Sequence, residues 1–141
     1  MKAIRIKRLR PEAKMPEYSH PGDAGLNIYS CEKKTLLPGE RYAFAIGWAM
    51  QFEAGYVGLF RDRSGLAKNH GLTVLGGVVD SGYRGEYQVI ILNTGSEAYT
   101  VEAGDKIAQL LLLPIETAIL EESDSLDQSD RGQGGLGSTG R

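Results

Sequence analysis

The run "RGQGGLGSTGR" sets Ser138 and Thr139 among glycines between Arg131 and Arg141. Backbone N–H groups, hydroxyls and guanidinium groups all donate hydrogen bonds to anions, so this stretch carries the chemistry of a phosphate-holding loop. Gly132 and Gly137 have P-loop spacing. The lysine is missing, and so are the preceding strand and following helix that aim a P-loop at phosphate, so that reading fails. The plain alternative is a solubilising tail. Arg131, Ser138 and Thr139 argue against it, because a linker has no need of them.

Three further segments carry candidate chemistry. In "RSGLA", Arg63 and Ser64 precede an expected helix start, where free N–H groups attract an anion; simple capping by Ser64 is the plainer account. In "GDKIAQL", Gly104 and Asp105 turn into a strand that carries Gln109 among apolar neighbours. A polar side chain there needs a partner, either an internal backbone group or a ligand. In "GGVVDSGYRGEY", Val78 and Val79 lead into Asp80-Ser81-Gly82 and Tyr83, the pattern of a β-hairpin or a tight strand reversal. Taken alone, Asp80 would be a turn former and Tyr83 an aromatic cover.

The elements that must position these residues are strands. Apolar residues alternate at Ile4 and Ile6, at Tyr42, Phe44 and Ile46, and from Tyr56 to Phe60, while Tyr87–Leu92 and Ile107–Leu113 are continuous apolar runs expected to be buried on both faces. Short Gly- or Pro-bearing turns such as "LPGE", "EAGY", "NTGSE" and "EAGDK" separate them. This reading gives about ten short strands and one helical exception, "RSGLAKNHG", which Gly71 would stop. The expected class is all-β: a sandwich, barrel or jelly roll. The β framework is expected to end near Ile119, giving one domain over 1–120 and a flexible arm over 121–141, where the sequence turns acidic and then glycine-rich.

Composition narrows the function classes. At 141 residues one domain can bury its own core, and the single Cys31 rules out an internal disulfide, which favours a reducing, cytoplasmic setting. No apolar run approaches the ~18 residues of a membrane span, and "MKAIRIKRLRPEAK" lacks a signal peptide's apolar block. A formal charge of −2 gives no global pull towards nucleic acid or membrane. The basic start "KAIRIKRLR" reads as a strand with a solvated charged face. His20 and His70 lie far apart without cysteine companions, so zinc has little support; Trp48 reads as packing and Cys31 as a small buried residue.

Taken in order, "DAGLNIYS", "RSGLA", "GVVDSGYRG", "GDKIAQL" and "RGQGGLGSTG" resemble the five motifs of the trimeric dUTPase family, from about residue 23 onward. One such motif would be weak; five in sequence are specific. The resemblance implies a jelly-roll homotrimer that hydrolyses dUTP to dUMP and pyrophosphate with Mg²⁺, limiting uracil in DNA and supplying dUMP for dTMP synthesis. It implies Asp80 as general base on the attacking water, Tyr83 beneath the deoxyribose, and the backbone of Gly76, Gly77, Val78 and Val79 reading the uracil edge. Arg63, Ser64, Gly65 and Gln109 would hold the phosphate chain. Arg131, Ser138 and Thr139 would take the γ-phosphate, with Leu136 and Gly137 closing over the nucleotide from a neighbouring subunit.

Two positions depart from the family pattern. Asn27 stands where an aspartate usually binds a water of Mg²⁺, so weaker metal affinity is expected, with Asp23 a candidate to share the role. Leu136 replaces an aromatic that stacks on uracil, which predicts a looser lid. The nearest rival is the dCTP deaminase family, but where deaminases carry a glutamate this chain has Ile90 and Ile91. A non-catalytic binding module on the same scaffold is the other rival, and the kept set of Asp80, Tyr83 and phosphate donors argues against it.

Overall fold

The structure is a computed structural model, and it describes residues 3–135. The chain runs β1 (Arg5–Arg8), β2 (Leu26–Tyr29), β3 (Lys34–Leu36), β4 (Arg41–Ala45), β5 (Trp48–Gln51), β6 (Tyr56–Arg61), α1 (Ser64–His70), β7 (Leu72–Leu75), β8 (Val78–Asp80), β9 (Gln88–Asn93), β10 (Tyr99–Val101) and β11 (Lys106–Pro114). The fold is the expected all-β jelly-roll type. Every ladder between these strands is antiparallel, in sheets ordered β2-β11-β6-β8, β4-β9-β7, β1-β5 and β10-β3.

All four sheets feed one core. Ile28, Leu36, Phe44, Trp48, Ile91 and Leu110 are each at most 3% exposed and belong to one apolar cluster. Burying such a side chain contributes about 1.5–3 kcal/mol. Trp48 is packing, as expected, and its indole N–H donates to the Lys14 carbonyl at 2.9 Å. Among the polar residues, Asn93 is fully buried; its amide donates to the carbonyls of Leu36 and Glu97 and accepts from the Gly95 N–H. This closes the "NTGS" turn from within.

Several expectations are corrected in detail. The eleven strands among the described residues match the expected number, but the last ends at Pro114, short of Ile119, which is 88% exposed. From there to Gly135 no helix or strand forms. β9 is not buried on both faces: burial alternates along it, and Ile90 is 38% exposed. Its outer face borders a cleft. Ser64 does not cap α1. Arg63, in extended conformation, holds the N-cap position with no side-chain cap bond, and Ser64 is the first helical residue. Gly71 does stop the helix, in the left-handed region at φ 68°.

The "GGVVDSGY" segment forms a reversal without a hairpin. β7 pairs with β9 in one sheet, whereas β8 pairs with β6 in another, so the chain changes sheets at Gly76–Gly77. Gly77 has φ +93°, and a Cβ there would sit 2.7 Å from the Phe60 carbonyl oxygen. Only glycine fits that crossing. The turn after β8 is tight, with the Tyr83 N–H donating to the Asp80 carbonyl at 3.1 Å. The chain beyond it does not pair back on β8 but runs on to β9.

Candidate functional site

The sheet change opens a cleft of ≈410 Å³ between the edge strands β7 and β8. Gly76, Gly77, Val78 and Val79 form one wall, Asp80 and Tyr83 the rim, and Phe60, Tyr87 and Val89 the apolar floor. β8 is the last strand of its sheet, so among the described residues its outer edge has no strand partner. An unpaired strand edge offers alternating N–H and C=O groups, the donors and acceptors a pyrimidine edge requires. The apolar floor suits a flat base.

Tyr83 is held as a platform. Its ring stacks on Tyr87 at 5.3 Å between centroids, tilted by 27°, and its hydroxyl donates to the Glu86 carbonyl at 3.0 Å. Burial pushes the Tyr87 phenol pKa up. Asp80 ends β8, where its backbone pairs with Val57 and its side chain is exposed at the rim.

A second pocket, of ≈340 Å³, gathers Asn27, Arg63, Ser64, Gly65 and Gln109. Asn27 on β2 and Gln109 on β11 are cross-strand partners, which explains how residues from distant motifs meet. Gln109 finds an internal backbone partner: its amide donates to the Asp62 carbonyl at 2.8 Å. Arg63 donates to the Lys106 carbonyl at 3.2 Å. The Ser64 hydroxyl is not spent on capping. The lining is polar, carries Arg63 as a cation and contains no carboxylate, as an anion pocket should.

Sequence reading missed Asn69 and His70, which also line this pocket, His70 with its ring 4.6 Å from that of Tyr99. Spacing could have found them: Gly65 and Asn69, like Leu66 and His70, are four apart on α1 and share a face. It also missed Glu86 and Tyr87 in the first cleft. The two pockets share no lining residue. Arg131 joins neither; it is exposed and its guanidinium donates to the Gly134 carbonyl at 2.9 Å. Leu136, Gly137, Ser138 and Thr139 lie outside the described residues.

Asp62 braces the ground between the pockets. Its carboxylate accepts the Val74 N–H at 2.6 Å and the Thr73 hydroxyl at 2.9 Å, while its carbonyl holds Gln109. Removing the carboxylate leaves a half-buried N–H without its partner. Asp62→Ala is therefore expected to lower stability by about 1–3 kcal/mol, read from urea unfolding midpoints.

The metal expectation divides. Asn27 is 8% exposed, and its amide N–H₂ donates to the Glu17 carbonyl at 3.2 Å and the Ser19 hydroxyl at 2.8 Å, leaving the amide oxygen to offer the pocket. Asp23 is turned to its own loop, accepting the His20 N–H at 2.9 Å, and does not line the pocket. Among the described residues no group of three His, Cys, Asp or Glu side chains is placed to hold an ion. This donor set fits a hydrated magnesium carried by a phosphate chain, touched through water by Asn27, and does not fit a bare resident ion. Cys31, expected to be buried, is only partly buried against the core; it stands apart from both pockets, and burial is the first cause that pushes its thiol pKa up.

Comparison with known proteins bears on the family and the fold. The family model described as dUTPase matches residues 11–140. The deoxyuridine 5'-triphosphate nucleotidohydrolase of Clostridium kluyveri is 44% identical over 137 residues, covering 96% of each chain. That of Thermobifida fusca is 46% identical over 140 residues, covering 97% of this chain and 78% of its own. Among solved structures, the dUTPase of Staphylococcus bacteriophage 80alpha with dUPNHPP aligns at TM-score 0.92 and 30% identity over 99% of both chains. A variant of the dUTPase from phage phi11 of S. aureus, described with a structural Mg(II) ion, aligns at TM-score 0.83 and 28% identity over 89% of this chain and 99% of its own. Five ordered motifs, the jelly-roll framework and these relatives together place this chain in the dUTPase family.

Proposed function

We infer that this dUTP diphosphatase cleaves its substrate by in-line attack of one water on the α-phosphorus, with Asp80 as the general base. The carboxylate takes a proton as the water oxygen bonds to the α-phosphorus. The bond from that phosphorus to the bridging oxygen of the β-phosphate breaks, and pyrophosphate leaves with dUMP as the other product. The observation that carries the reading is Asp80 on the rim of a cleft walled by the free edge of β8 and by Tyr83. That edge reads uracil through Gly76, Gly77, Val78 and Val79. Tyr83, backed by Tyr87, lies under the sugar and rejects a 2'-hydroxyl.

Arg63, Ser64, Gly65 and Gln109 hold the phosphate chain, and Asn69 and His70 complete that pocket. Each site is assembled between subunits of a homotrimer, as the family resemblance implies, with the phosphate pocket supplied by one chain and the Asp80 cleft by another. In this scheme 1–120 form the catalytic domain, while 121–141 form an arm that brings Arg131, Ser138 and Thr139 to the γ-phosphate and Leu136 and Gly137 over the base. Asn27, through water, and the phosphate chain would hold magnesium, which supplies neutralisation of charge on the phosphate oxygens. The physiological setting is nucleotide-pool cleansing in the cytoplasm and supply of dUMP for dTMP synthesis.

Deamination of dCTP is disfavoured by Ile90, which faces the cleft where a deaminase carries its acid. Glu86 does reach the cleft, but its carboxylate is engaged by Arg10. A turnover assay across dUTP, dCTP, dTTP and UTP, with and without Mg²⁺, tests the reading. Pyrophosphate release from dUTP that requires the metal, with little from the others and no ammonia from dCTP, is the expected result. Binding of dUTP without turnover would favour a retired scaffold instead.

A further inference from the structure

Steric rejection of a hydroxyl works only if the wall that rejects it cannot yield. The wall here is Tyr83, which sits in the irregular stretch Ser81–Tyr87 between β8 and β9 and lacks strand pairing of its own. The side chains of Tyr83 and Arg84 bond back into this stretch: Tyr83 to the Glu86 carbonyl, Arg84 to the carbonyls of Ser81 and Tyr83. Gly85 is packed against the ring, so closely that a Cβ there would collide with the Tyr83 hydroxyl oxygen. At its end the stretch is anchored through Tyr87, whose N–H donates to the Trp48 carbonyl at 2.9 Å and whose carbonyl accepts the Ile46 N–H at 3.3 Å. A side-chain tie adds to this anchoring of the reversal.

Glu86 reaches out of it. Its carboxylate accepts two hydrogen bonds from Arg10, Nε at 2.6 Å and Nη2 at 3.1 Å, across 76 positions of sequence. Arg10 is itself anchored. Its Nη1 lies 3.7 Å from a Glu32 carboxylate oxygen, and the other Glu32 oxygen accepts the Ala45 N–H of β4 at 3.1 Å. The Arg10 pKa is raised, chiefly by the hydrogen bond to Glu86. Two-point contact between a guanidinium and a carboxylate fixes orientation as well as distance.

We propose that Arg10 and Glu86 form a positioning latch that holds the Tyr83 platform rigid, so that the pair sets discrimination between deoxyribose and ribose without touching the reacting atoms. The latch rests on the reading of Tyr83 as the sugar platform. Arg10 has a second effect, since it occupies a carboxylate that would otherwise face a polyanionic substrate in the cleft. The two effects separate by comparison: Arg10→Met breaks the two-point contact and leaves the carboxylate charge in place, whereas Glu86→Gln removes both together.

The test measures kcat/KM for dUTP and for UTP, with thermal unfolding, in the wild type, Arg10→Met, Glu86→Gln, the double variant and Arg10→Lys. The dUTP-to-UTP ratio is expected to fall about tenfold in each of the first two single variants, and no further in the double, as for two residues acting as one unit. Arg10→Lys, which keeps the charge but not the fork, should fall between. An unchanged ratio with a lowered Tm overturns the latch and leaves the pair a structural staple. Losses that multiply in the double overturn it too. A wild type that turns over dUTP without preferring it to UTP would instead undo the Tyr83 reading itself.

Discussion

Asp80→Asn is expected to slow pyrophosphate release from dUTP by about 10²–10⁴-fold, the usual worth of a positioned general base. Asparagine keeps the size and the backbone role of the residue, because both the pairing with Val57 and the turn bond from the Tyr83 N–H involve the main chain. The side chain is exposed at the rim, so stability should stay within about 0.5 kcal/mol of the wild type. Affinity for a non-hydrolysable dUTP analogue should hold or rise, since the substitution removes a negative charge facing the phosphates. The prediction thus separates chemistry from binding. Steady-state release of pyrophosphate and calorimetric titration with the analogue read the two effects independently. Loss of less than tenfold would mean that another group activates the water.

How far the sequence carries depends on whether an argument stays local. The alternation Tyr42, Phe44 and Ile46 read only in part: Phe44 and Ile46 are buried in the one core, but Tyr42 near the start of β4 is 36% exposed and Ile46 falls just past the strand's end. The tight turn after Asp80 read correctly because Asp-Ser-Gly encodes it within four residues. What Val78 and Val79 pair with did not: Gly76–Gly77 send the chain to a different sheet, and the cost of a Cβ there is set by Phe60, sixteen or more residues away. The apolar run of β9 misled because Ile90 is as apolar as a buried residue yet borders the cleft. Gln109 was legible as needing a partner, but not which one, since Asp62 arrives from another strand's end. Arg10 and Glu86 left no local trace at all.

The inferred sharing of each site between subunits makes the most demanding prediction. A chain carrying Asp80→Asn lacks the base in every site, and a chain ending at Asp130 lacks the arm in every site, so each alone should be nearly inactive. If the nucleotide bridges subunits, a mixed trimer contains sites that draw an intact Asp80 from the truncated chain and an intact arm from the full-length one. Random assembly of equal amounts, as expected for a symmetric oligomer of near-identical chains, restores about a quarter of the sites. Co-refolding followed by the pyrophosphate assay measures the recovery, with size-exclusion chromatography fixing the trimer. The comparison is with the same chains refolded separately and then combined, which holds composition constant and changes only who shares a trimer. A site built within one chain gives no recovery in either mixture, because each polypeptide then carries its own defect. Recovery confined to the co-refolded sample requires Asp80 and Arg131 to serve one substrate from different chains, the arrangement inferred for the homotrimer.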